Sequence, residues 1–132
     1  MKISIAVDEY RELREFPSSS LPDELQNWFD TAKLTMNLPS AKAHFIENKT
    51  AKEFSNGVIA YVGALGSAYV EDGCFAFIES DEGRESDKDT IIHEMLHLLG
   101  AIHSETNHDL YQAEVEKFKG ATKRNLQVLG SD

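Results

Sequence analysis

The sequence predicts an α+β fold: a small twisted mixed sheet of four to five strands, an N-terminal amphipathic helix, a buried helix carrying the chemically active side chains, and a short C-terminal helical segment. Three observations predict it. Short runs of alternating apolar residues recur through the first two thirds of the chain, apolar residues before Pro39 repeat at helical spacing, and after Asp87 they cover most of a helix circumference. A length of 132 residues suits one core, so residues 1–132 are expected to form a single domain.

Ile3, Ile5 and Val7 alternate in KISIAVD, the period of a strand with one buried face. Ser20 with Asp23, and Pro22 in the first turn, suggest a helix start. Leu25, Trp28, Phe29, Ala32 and Met36 then form an apolar stripe that Pro39 ends. Ala43 and Phe45 alternate within residues 41–47, and residues 58–62, 67–70 and 74–78 give three more β-like runs. Asp72-Gly73 lies between the last two runs and accepts the positive φ of a tight turn, so an antiparallel pair should close there with one strand at an edge. Ser86, with Asp89 three residues on, places the next helix start near Asp87. Ile91, Ile92, Met95, Leu96, Leu98 and Leu99 follow, and Gly100 offers a stop. A further start at Thr106 or Asn107 leads through Leu110, Tyr111, Val115 and Phe118 toward Leu126 and Leu129, with a possible break at Gly120.

Lysine and arginine number 13 against 23 acids, a formal charge of -10 that disfavours nucleic acid and anionic membrane surfaces. The opening MKISIAVDEYRELREF is too short in apolar run and too charged for a secretory leader or a membrane span. A lone cysteine, Cys74, has no internal disulfide partner and reads as a small strand residue. A cytoplasmic monomer without membrane association is the expectation.

The chemistry concentrates in HEMLHLLGAIH, His93 to His103. At 3.6 residues per turn, His93 and His97 share a helix face one turn apart, where two imidazoles can bind one metal. Glu94 stands about a quarter turn away, within reach of a water at that metal without being a ligand. Gly100 lets the chain leave the helix so that His103 can turn back toward the same ion. Three histidines and an open fourth position describe a catalytic zinc site.

These residues match HExxHxxGxxH, and the chain resembles the metzincin clan of zinc metallopeptidases. The order of strand, helix, mixed strands and motif helix is similar too, and Ser104 with the GALGSAYVEDGCFAF hairpin resembles the matrixin branch. The resemblance implies zinc held by His93, His97 and His103, with Glu94 as general base and later proton donor. It also implies a protein or peptide substrate bound as an extended strand along Leu65, Gly66, Ser67, Ala68, Tyr69 and Val70. Metzincins carry a methionine turn beneath the metal, but Met1, Met36 and Met95 all precede His103. Leu110 or Tyr111 falls near that place, and Tyr111 is either a transition-state donor or a core aromatic. A second resemblance is to the metal-dependent endoribonucleases of bacterial ribosomal RNA maturation, which share the LHLLG core but usually carry glycine where this chain has Glu94. A non-catalytic zinc-binding domain is the third reading. His108 and Asp109 offer outer hydrogen bonds to an imidazole, His44 reads as structural, and the acidic loop 79–89 reads as solvated rather than calcium-binding.

Overall fold

The computed structural model describes residues 13–54, 66–102, 104 and 106–130. The strand expected over residues 2–8 and the one over 58–62 lie outside them. The described chain runs through α1 (Asp23–Thr35), β1 (Lys42–Ile46), α2 (Asn48–Phe54), β2 (Gly66–Tyr69), β3 (Cys74–Ile78), α3 (Arg84–Leu98) and α4 (His108–Gly130). The fold is α+β, and the sheet is mixed. Among the described residues it has three strands in the order β1-β3-β2, and the further strands expected from the sequence fall outside those residues.

Central β3 pairs parallel with β1, from Lys42↔Cys74 to Ile46↔Ile78, and antiparallel with β2, from Gly66↔Phe77 to Tyr69↔Cys74. Its sequence CFAFI is apolar throughout because both faces are covered. Phe75 and Phe77 enter the main core with Leu25, Trp28, Phe29, Phe45, Ile91, Ile92 and Met95. Ala76 and Ile78 face a second cluster with Leu13, Phe16, Ile46 and Ala51. His44 on β1 is structural: its Nε2–H donates to the Phe16 carbonyl at 2.8 Å and pins the N-terminal segment to the sheet. Cys74 begins β3 and is partly buried.

The β2–β3 connection is a 3-10 turn over Val70–Asp72 followed by Gly73 at φ 66, so the Asp-Gly signal located the hairpin while the turn itself is longer than two residues. Helix α2 has no counterpart in the sequence reading; it is short, and its buried Ala51 is fixed by the second core rather than by a visible stripe. Helix α1 starts at Asp23 after Pro22, without a side-chain cap from Ser20. Helix α3 starts at Arg84, three residues before the expected Asp87. Asp87 accepts the Ser80 backbone N–H at 2.8 Å instead, which fastens the preceding loop to the helix, and Arg84 pairs with Glu79 at 2.8 Å. Trp28 Nε1–H donates to the Lys88 carbonyl at 3.2 Å and Lys88 pairs with Glu24 at 2.8 Å, so α1 fixes the start of α3.

The C-terminal segment is one helix of 23 residues that continues through Gly120, not a short or broken one. A helical glycine costs about 1 kcal/mol relative to alanine. Buried Val115 and Thr122, and the Asn125 side chain bonded to Thr35 on α1, hold the helix across it. A Cβ at Gly120 would meet only Arg124 Nη1, at 3.5 Å. Gly120→Ala should therefore stabilise the fold by about 0.5–1 kcal/mol in denaturant unfolding. Among the described residues, no helix is long and apolar enough to cross a membrane.

Candidate metal and catalytic site

A cleft of about 820 Å³ opens between β2, α3 and the start of α4. Gly66, Ser67, Ala68 and Val70 line one wall, Asp89, Thr90, His93, Glu94 and His97 the floor, and Gly100, Ala101, Ile102, His108 and Gln112 the far side. His93, Glu94 and His97 are thus brought together as the helical spacing predicts. The two imidazole centroids are 5.1 Å apart with rings nearly perpendicular.

The turn that ends α3 orients the second imidazole. Ala101 N–H donates to the Leu96 carbonyl at 3.1 Å and Gly100 N–H to the His97 carbonyl at 2.9 Å, a Schellman closure with Gly100 in the left-handed region at φ 96. The turn brings the Ala101 carbonyl against the His97 ring, 2.9 Å from Nδ1. A carbonyl only accepts, so Nδ1 carries a proton, and in the neutral ring this leaves the lone pair on Nε2, the tautomer a metal ligand needs. The two described histidines therefore fit a zinc ion, through imidazole nitrogens on one helix face with an outer carbonyl fixing one ring.

His103, the third expected ligand, and Leu65 lie outside the described residues. Among the described residues no group of three His, Cys, Asp or Glu side chains is gathered closely enough to hold a metal. The chain on either side of position 103 is braced by Asn107, which the sequence marked only as a helix start. Its Nδ2–H donates to the Ile102 carbonyl at 2.9 Å, and its Oδ1 accepts the Ser104 N–H at 2.5 Å. Asparagine just before a helix was the available signal; its grip on both neighbours of residue 103 depends on loop geometry that spacing does not reveal.

Glu94 is 5% exposed. Burial pushes its carboxyl up to about 7, and a dication beside it would pull that value back down. Tyr111 lies beneath the motif from α4, its ring centroid 4.9 Å from His93 and 5.1 Å from His97. Its hydroxyl donates to the His93 backbone carbonyl at 2.7 Å. Burial first, and the Glu94 carboxylate second, push the phenol up, so it keeps its proton. Tyr69, expected along the substrate strand, does not line the cleft; its ring lies under the Arg14 guanidinium, 4.4 Å from the centroid, and packs on the second core. His108 reaches the cleft rim, whereas Asp109 is exposed in the first turn of α4.

No protein-family model, curated protein or solved structure matches the chain.

Proposed function

We propose that the chain is a minimal zinc endopeptidase resembling the metzincins. The observation that carries this reading is the placement of one buried carboxylate, Glu94, in the same cleft as two adjacent imidazoles, one of them fixed in the metal-binding tautomer. His93, His97 and His103 would hold the zinc, which when bound supplies Lewis-acid polarisation of a carbonyl and a water nucleophile near neutral pH. Glu94 takes the proton of the attacking water and returns it to the departing amine. Among the described residues β2 is an edge strand, and its backbone offers an extended peptide main-chain hydrogen bonds beside the histidines.

Asp89 and Glu94 line the cleft and, among the described residues, no lysine or arginine does. That charge pattern favours a peptide over a phosphodiester backbone. Incubating the zinc-loaded chain with a casein-like protein and, separately, with single-stranded RNA tests the choice. Chelator-sensitive proteolysis is expected; RNA cleavage without proteolysis would overturn the reading in favour of an endoribonuclease, and neither activity would leave a non-catalytic zinc domain.

Tyr111 acts in this scheme as a support under the histidines, in place of the methionine turn, because its proton is engaged by the His93 carbonyl. Tyr111→Phe should keep kcat within about threefold and cost about 1 kcal/mol of stability. A transition-state donor would instead lose kcat by about 10²-fold or more.

A further inference from the structure

Gly66 opens β2 where that strand passes the Glu94 side chain. A Cβ built on Gly66 would lie 2.9 Å from Glu94 Oε2, 3.1 Å from Glu94 Cγ and 3.1 Å from the Ala76 carbonyl oxygen. Gly73, Gly83 and Gly100 have φ between 66 and 115 and nothing within 4 Å of such a Cβ, so their glycines answer to backbone conformation. Gly66 is the opposite case: its φ is outside the left-handed region, and what it supplies is space.

Two groups bound that space. The Ala76 carbonyl belongs to central β3, whose neighbours hold it in register through Ser67↔Ala76 and His44↔Ala76, so it has little room to give. The Glu94 side chain is the softer neighbour. It approaches from α3, and its carboxylate rests against the first residue of the substrate-facing wall because no side chain is there. Any larger residue would drive the carboxylate away from this wall, while His93 and His97, one helix turn apart on α3, keep their mutual geometry.

We infer that Gly66 is a positioning residue for the general base: its missing side chain is the slot in which the Glu94 carboxylate sits. The inference rests on the reading of Glu94 as the base.

Gly66→Ala should lower kcat at least about tenfold, keep KM within about twofold, and leave about one zinc bound per chain. An activity-independent readout comes from thermal unfolding of the full chain with and without the Glu94 side chain. Beside Glu94 the added methyl should lower the midpoint by about 2–6 °C, whereas in a Glu94→Ala background, where only the Ala76 carbonyl still bounds the slot, the loss should shrink to less than about half of that. An unchanged kcat in Gly66→Ala, or a midpoint loss of the same size in both backgrounds, would overturn the role. If the parent chain hydrolysed no protein, the peptidase reading would fall, and the two midpoint differences would still decide whether residue 66 acts through Glu94.

Discussion

Replacing Glu94 by glutamine is expected to lower kcat on a protein substrate by about 10²- to 10⁴-fold, with zinc content unchanged. Glutamine keeps the shape that fills the slot beside Gly66 but cannot take a proton from water, so the loss measures proton transfer alone, about 3–5 kcal/mol of barrier. The same change should raise the thermal midpoint of the metal-free chain, because among the described residues no cation pairs with the buried Glu94 carboxylate. A variant that is stabilised and inactive is the signature of a group kept for chemistry at a cost in stability. Retention of more than about a third of the parent kcat would remove Glu94 from the mechanism.

His97→Ala should weaken zinc binding by more than about 100-fold, beyond the 10- to 100-fold that loss of an outer partner causes. The contrast is available within one turn of chain, since the outer partner of His97 is the Ala101 carbonyl, placed by Gly100 at φ 96. Chelation or His97→Ala should abolish proteolysis while leaving the fold largely intact. The core of Trp28, Phe29, Phe75, Phe77, Ile91, Ile92 and Met95 is closed by helix and sheet contacts that do not involve the imidazoles. Competition with a chromophoric chelator measures the first effect and far-UV circular dichroism the second. Unchanged zinc affinity in His97→Ala would place the metal elsewhere.

The parts of the fold that were legible are those where burial follows a regular period. Leu25, Trp28, Phe29 and Ala32 recur at helical spacing, all are buried, and α1 forms where they lie. The apolar run of β3 reads as a strand because both faces are covered. The other elements depend on tertiary context. Among the described side chains of helix α2, the second core takes the small Ala51, which gives little stripe to read. Ser86 has the chemistry of a helix cap, yet α3 starts two residues earlier, where Asp87 can turn back to Ser80. At Gly120 the local cost of glycine loses to the burial of Val115 and Thr122 on either side and to the Asn125–Thr35 hydrogen bond to α1.

The site divides the same way. His93, Glu94 and His97 share a helix, so their proximity follows from the pitch. The Ala101 carbonyl, the Asn107 brace and the Gly66 slot each depend on a loop or strand returning to that helix, and no spacing rule contains that information.

X-ray absorption at the zinc edge of the metal-loaded chain tests the catalytic-site reading most directly, because it reports which atoms surround the ion. Three imidazole nitrogens and one oxygen from solvent are expected, with the oxygen marking the position open to substrate. A fourth ligand from the protein, or a chain that retains no zinc, would contradict it.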